Sequence, residues 1–483
     1  TTFRSNLFFS CLIEKDPGEL NFNDFQSFYF LDKNIFNKID FLIGDYQLEF
    51  GQGLLFWSPY SFGKTSAATK GIVKRTRFFY GSETSSEFHF LRGIVAFSRI
   101  RKLKTLLFYS RNNYDARFDS SKNVFTSFSE TGLHRTLTEI QKRNLLLANT
   151  FGALLNYSFD ELNSIGVSFA FHKFNNYVTP ISYLPPIKKI LLGSVSFNYN
   201  LKKLFFNGEV AFSNKSVAFT LAASALFPNK IRFVTVLRHY PFNYFSPWSG
   251  GLGEKKSTNN EQGFYFGLST TQSFAKINFY YDIFNFPHYS STNIFPSNGN
   301  ELSFEIQPRV FNLFNLKFRF FREAKEVLIS QLNQKFLSVR IINKFRITIT
   351  YGRKPFKFLT RLEYSLVKNN QFTKGFLFLQ DLFLKPAEKI NVYLRVAWFN
   401  TPSFSNTFYE FENDLYGVFS IPPLYGSGLR WYFLISYSFW KKFRLEIKYS
   451  ETYKPYLQTI GSGLDERKAN YLRKIGIELR TIL

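Results

Sequence analysis

Phe443-Arg444-Leu445-Glu446-Ile447-Lys448-Tyr449 carries an apolar side chain at every odd position and a charged one at every even position. Successive side chains of a strand point to opposite faces, so this stretch reads as a strand with one apolar and one charged face. A helix would need apolar residues at three-and-four spacing, which the stretch lacks. The same alternation runs through Ile390–Val396, Phe345–Thr350 and Leu316–Phe320.

Short polar breaks join such runs. Asn200–Lys203 separates Ser194–Tyr199 from Leu204–Phe212, and Ile100–Lys102 separates Phe88–Ser98 from Leu103–Ser110; both predict tight hairpins. Longer polar segments at Pro241–Gln262, Tyr289–Asn300 and Thr401–Asn413 are expected to form the larger loops on one side of a membrane.

Composition narrows the class. Aromatic residues make up 20% of the 483, with 64 Phe and 28 Tyr, yet mean hydropathy is only -0.16 and charged residues reach 20%. No unbroken apolar run approaches the ~18 residues of a spanning helix. A barrel strand averages to middling hydropathy because lipid-facing and lumen-facing side chains alternate. A stack of soluble β-sandwiches is the alternative, but Phe this dense would overfill its cores. A strand of ~10 residues with its share of turn and loop uses roughly 18–22 residues, which predicts about 22–26 strands. The expected fold class is therefore all-β, a large antiparallel transmembrane β-barrel forming one domain over 1–483. The segment 54–70, where Pro59–Thr69 is rich in Gly, Ser and Thr, is the candidate inward loop or plug.

Other features bound the chemistry. Cys11 is the single cysteine, so no intramolecular disulfide framework exists. His89, His134, His172, His239 and His288 lie far apart with no cysteine partners at metal-ligand spacing, so neither a metal nor another cofactor is expected. Met is absent and the chain opens at Thr1, consistent with an exported chain from which a leader has been removed. The net charge of +26 is dispersed rather than gathered into one arm. Lys and Arg are expected in the lumen, at the rims, and against the phosphates of outer-membrane lipid and lipopolysaccharide.

Gly44-Asp45-Tyr46-Gln47-Leu48-Glu49-Phe50-Gly51-Gln52-Gly53-Leu54-Leu55-Phe56-Trp57-Ser58 is too particular for generic strand. Further blocks follow the same order in the family it resembles: Glu14–Glu19, Gly132–Thr136 with Glu139, Asn260–Tyr265, Tyr281–Pro287, Glu412–Leu415 and Tyr425–Gly428. Together they resemble the C-terminal β-barrel region of Bacteroidota outer-membrane proteins that carry helix-hairpin-helix domains. The resemblance covers essentially the whole chain and implies a fold and a compartment, the bacterial outer membrane, but no settled activity. Two features depart from the family pattern: the helix-hairpin-helix repeats that usually precede the β-region are not among these 483 residues, whether cleaved, lying outside this stretch or never part of this member, and the sequence ends on Leu483 where many such barrels end on an aromatic residue.

The candidate lumen or constriction residues are Asp45, Glu49, Gln52, Trp57, His134, Arg135, Glu139 and Asp282; no residue is assigned a catalytic role. Gly51 and Gly53 would permit a bulge or close packing while Asp45 and Glu49 satisfy nearby Arg. His134, Arg135 and Glu139 could serve proton transfer at a barrel rim, but no nucleophilic serine is placed beside them, and an enzyme is not expected. Clusters such as Phe78-Phe79-Tyr80 could stack bases in a nucleic-acid conduit or form interfacial belts. The leading expectation is a pore or conduit for anionic or polymeric cargo such as DNA. The alternative is a structural or assembly platform binding other envelope proteins or lipoproteins.

Overall fold

The computed structural model describes residues 6–16, 18–58, 63–84, 86–181, 184–289, 294–309, 313–331, 334–353, 355–369, 371–416, 418–439, 443–461, 464 and 466–481. Strand accounts for 66% of the structure and helix for 2%. The described strands form a 25-stranded sheet and a separate two-stranded pair, within the range that length predicts. The chain divides into two compact units. One comprises Thr1–Phe227, Arg232–Phe266 and Phe284–Pro296; the other comprises Pro228–Ile231, Gly267–Ile283 and Ser297–Leu483.

In the first unit, Leu7–Glu14, Phe25–Ile35, Ile39–Glu49, Leu91–Ile100, Leu103–Tyr114, Leu146–Ser158, Ser164–Val178, Ile187–Leu201, Leu204–Ser213 and Ser216–Phe227 pair in this order, each antiparallel to the next. The anticipated hairpins close between Ile100 and Leu103 and between Leu201 and Leu204, each across two residues. Arg101 and Lys202 take φ of 53° and 58°, the positive values that match a two-residue turn to the twist of its strands. In the second unit the strands from Ser297–Pro308 through Tyr471–Thr481 repeat this meander.

The period-two pattern becomes two faces. Along Ser164–Val178, Ile165, Val167 and Phe169 are 41%, 45% and 42% exposed, while Ser168, Ala170, His172 and Phe174 between and beyond them are buried. In the second unit Val396 and Trp398 stand exposed, whereas Arg395 and Ala397 are covered. The even positions Glu446, Lys448, Ser450 and Thr452 of Phe443–Tyr453 are likewise buried. Apolar side chains outside and charged ones inside invert the soluble arrangement. Such an apolar face is stable against hydrocarbon, and strands span hydrocarbon as barrels. The fold is of the transmembrane β-barrel class.

Two loop expectations need correction. Pro241–Gln262 and Thr401–Asn413 do not simply extend outward; each lies against the polar face of strands in its own unit, because both carry buried groups that those faces bind. In Tyr289–Asn300, residues 290–293 lie outside the described residues, and strand already begins at Ser297.

A charge on the exposed face gives a direct check. Arginine placed in turn at Ile165, Val167 and Phe169 is expected to lower stability in lipid vesicles, by ~2–4 kcal/mol at the position nearest the bilayer midplane. A change within about 0.5 kcal/mol at all three, as for ordinary water-facing sites, would contradict a lipid-facing strand.

Candidate functional site

Within the first unit, the chain leaving strand Ile39–Glu49 turns onto the polar face instead of continuing as wall. Gly51 sits at φ 58°, and a Cβ there would lie 2.7 Å from the Glu209 carboxyl group. Gly53, at φ 83°, leaves a Cβ 3.1 Å from Trp57 and 3.2 Å from the Gly250 carbonyl. This close approach lets Glu209, fully buried on strand Leu204–Ser213, accept the backbone N–H groups of Gln52 at 2.7 Å and Leu54 at 3.0 Å. Orphaning a buried donor costs about 1–3 kcal/mol, so one carboxylate holding two amides fixes the entry of the segment.

Pro241–Gln262 seals it from the other side. The Trp57 and Gly250 amides donate to the carbonyls of Trp248 and Gly53, both at 2.8 Å, and the hydroxyls of Tyr244 and Ser246 donate to Leu54 and Leu55. Phe56 stacks on Trp248 and meets Phe108 edge-on, both with ring centroids 5.6 Å apart. Arg238 and Glu261, both fully buried, pair at 2.7 Å. Of the candidate plug 54–70, Pro59 to Phe62 lie outside the described residues.

A second cluster joins three other stretches of the first unit. His134 is bonded through Nδ1 to Asp24 and through Nε2 to Asp115 at 2.6 Å, while its amide donates to Glu19 at 2.9 Å. Arg143 pairs with Asp24 at 2.8 Å. Thr136 caps the short helix Leu137–Ile140 reciprocally with Glu139, which also pairs with Arg135. Desolvation works against the Glu139 carboxylate, yet hydrogen bonds from the Arg135 side chain and from the Arg135 and Thr136 amides hold it down to about 2. Burial opposes protonation of His134, but its bonds to Asp24 and Asp115 and their charges raise its pKa above the ordinary value. Nearby Glu87 is pushed up to about 8, chiefly by burial; the pull of His134 is outweighed by burial together with the charges of Asp24, Asp115 and Glu19.

In the second unit a hairpin lies along the polar face. Phe408 and Tyr409 pair with Leu424 and Pro423, and a bridge joins Glu412 to Ser420. Phe408 and Leu424 enter an apolar cluster with Leu377, Leu379, Ala397 and Phe399. Buried Asn406 donates to the Ser365 hydroxyl at 3.2 Å. Beyond this base the hairpin is acidic. Glu410 meets Arg346 at 2.8 Å and also pairs with Arg361; Glu412 meets Arg430 at 2.6 Å; Asp414 meets Lys448 at 2.7 Å. Arg395 reaches the Phe411 carbonyl at 2.6 Å and Lys344 that of Thr407 at 3.2 Å.

The sequence candidates thus fall into separate places. Asp45 takes Arg92 at 2.6 and 2.8 Å, and Glu49 takes Arg77 at 2.8 and 2.5 Å. Gln52 bonds the Lys74 amide at 3.0 Å, and Lys74 lies 4.4 Å from the Trp57 ring centroid. His134, Arg135 and Glu139 belong to the second cluster. Asp282 lies buried in strand Ala275–Phe286, within the second unit. Sequence reading missed Glu209, Asp24, Asp115, Glu87 and the inward acidic arm of the hairpin, although Arg346, Arg395 and Lys448 of the basic ladder from Lys344 to Lys448 lie in runs whose alternation it read. The arm had a signal: Glu410, Glu412 and Asp414 alternate with Tyr409, Phe411 and Asn413, the same period-two pattern as a strand.

No family model matches the sequence, and no curated protein matches it significantly. Among solved structures it is similar to a ferric enterobactin receptor of Pseudomonas aeruginosa, at 9% identity and TM-score 0.49, covering 95% of this chain and 78% of that one. It is also similar to the siderophore receptor PirA of Acinetobacter baumannii, at 8% identity and TM-score 0.43, covering 99% and 80%. A third is OmpT, an outer membrane protein of Vibrio cholerae, at 12% identity and TM-score 0.32, covering 70% and 99%. These values say nothing of cargo. The inverted faces of the strands themselves decide the setting, since a spanning wall of antiparallel strands is the outer-membrane solution. The chain has the fold of a bacterial outer-membrane β-barrel.

The His134 cluster should respond to pH. Glu87 keeps a proton in the folded chain between its ordinary range near 4.5 and about 8, and the stabilising proton of His134 is lost as pH rises through its raised value. Both effects make local stability fall with rising pH. Hydrogen exchange of residues 129–143, corrected for intrinsic rate, is expected to quicken between pH 6 and 8.5, and Glu87→Gln should remove most of that rise. An unchanged slope in the variant would contradict the coupling.

Proposed function

We propose that this chain is a non-enzymatic outer-membrane conduit that rests closed and opens to anionic cargo. The observation that supports this most is that, in each unit, a segment of the chain's own covers the polar face of the strands: residues 50–58 and 63–76 with Pro241–Gln262 in the first, residues 404–416 and 418–424 in the second. The two covers differ in kind. The first is held by stacked rings, hydroxyls and backbone amides together with the buried Glu209 carboxylate and the Lys64–Glu254 pair, which suit a permanent filling. The second is held past its base by ion pairs, which a ligand bringing its own anionic groups to the same Arg and Lys side chains can replace.

The basic ladder makes anions the favoured cargo class, and DNA is one polymer of that class. Both ring nitrogens of His134 are engaged by carboxylates, an arrangement suited to holding loops together rather than to activating a nucleophile. A platform for envelope proteins or lipoproteins is the second reading, favoured by the permanence of the first unit's filling. The family of Bacteroidota barrel proteins fits either reading.

Planar-bilayer recording separates them. The native chain, with insertion verified, is expected to be silent, and replacing residues 404–424 by a short Gly-Ser linker should give anion-selective steps. Large steps from the native chain would overturn the resting closure. A silent, inserted linker variant would overturn the conduit in favour of the platform.

A further inference from the structure

The contacts of the second unit's hairpin describe a binding site that is already occupied. Six cations of the polar face touch it or its partners: Lys344, Arg346, Arg361, Arg395, Arg430 and Lys448. On the wall itself Glu363 lies beside Arg346 and Asp381 beside Arg395, each at 2.5 Å. Glu410, Glu412 and Asp414 of the hairpin pair with Arg346, Arg361, Arg430 and Lys448. Arg430 grips Glu412 through two nitrogens, at 2.6 and 2.8 Å, in the fork geometry that favours carboxylates.

The hairpin presents these acids as an extended ligand would. Glu410 and Glu412 face the wall and are buried, while Tyr409 and Phe411 between and beside them are each 51% exposed. Alternate residues of an extended chain lie ~6.6 Å apart and share one face, which turns all three carboxylates to the wall. Phe408 and Leu424 anchor the base in an apolar cluster. From Glu410 to Asp414 the wall-facing contacts are charge pairs and hydrogen bonds to the wall's cations and to Tyr432; beyond them Leu415 packs over Gly476 and the Tyr416 amide donates to Glu446. A fixed base with an electrostatically held arm is a tethered pseudo-ligand.

We infer that the polar face spanning Lys344 to Lys448 is a binding site for an extended acidic peptide, carboxylates at every second residue, which the chain's own Glu410–Asp414 arm occupies until a partner or cargo segment displaces it. This rests on the closed-resting reading for what displacement would achieve. Occupancy itself can be measured without any conductance. A tether holds its ligand at ~mM effective concentration, so the native chain should strongly suppress a free competitor.

The test uses the full chain in detergent and a dye-labelled synthetic peptide of residues 409–416, with a control peptide in which its two Glu and one Asp are the corresponding amides. Binding to the variant Glu410→Gln/Glu412→Gln/Asp414→Asn is expected at least about tenfold tighter than to the native chain, by loss of tethered competition. It should weaken at high salt, be absent for the amide peptide, and vanish when Arg361→Gln and Arg430→Gln are added. Circular dichroism and resistance to trypsin establish that each variant keeps its strands. Equal affinity of the native and triple-variant chains, or binding that persists without the two arginines, would overturn the site. Inorganic tripolyphosphate competing better than the peptide would overturn the assignment to an acidic peptide. Constitutive conductance of the native chain would overturn only the closed-resting reading, because peptide binding is read separately.

Discussion

Charge cannot face hydrocarbon, and nearly every feature of this chain follows from where its charges are put instead. Strands that alternate apolar and charged residues can lie in a membrane only with one face turned to lipid and the other away. The charges collected on the second face must then be solvated or paired, since an isolated buried ion is far more costly than a paired one. In both units the chain supplies its own partners: Glu209 for the amides of Gln52 and Leu54, Arg238 for Glu261, and the 410–414 acids for the basic ladder.

The two units solve that problem with different materials. The first packs apolar and aromatic side chains, Leu54, Leu55, Phe56 and Trp248, against an inward face that is itself partly apolar, with Leu106 and Phe108 among its residues. Tight packing of this kind, with buried hydrogen bonds between segments, resists opening. The second offers an inward face rich in Arg and Lys and covers it with carboxylates. On the proposed reading, such a cover yields to an anionic ligand that can take over its Arg and Lys partners.

How much of this the sequence carried depends on the range of the interaction. The alternation in Phe443–Tyr449 is local, and the structure turns its even residues onto the covered face as expected. Hairpins at Ile100–Leu103 and Leu201–Leu204 are equally local. The direction of a loop is not. Thr401–Asn413 is polar, which suits an outer loop, but its acids pair with strands up to 64 residues away in sequence. Glu209 lies 155 residues from the amide of Leu54, and no spacing rule reaches that far. The blocks Gly132–Thr136, Asn260–Tyr265 and Glu412–Leu415 stood out in sequence, and each sits at an interior cluster. Their prominence was legible, whereas their partners were not.

The most direct measurement places a bromine-quenchable fluorophore at single cysteines from Leu445 to Ser450, in a chain whose exposed Cys11 is replaced by Ser, and reads quenching by brominated lipid. Probes at 445, 447 and 449 should be quenched and those at 446, 448 and 450 should not, the period-two signature of a wall with lipid on one face and the chain's own cover on the other. Quenching without alternation, or none at any position, would contradict the assignment of the two faces.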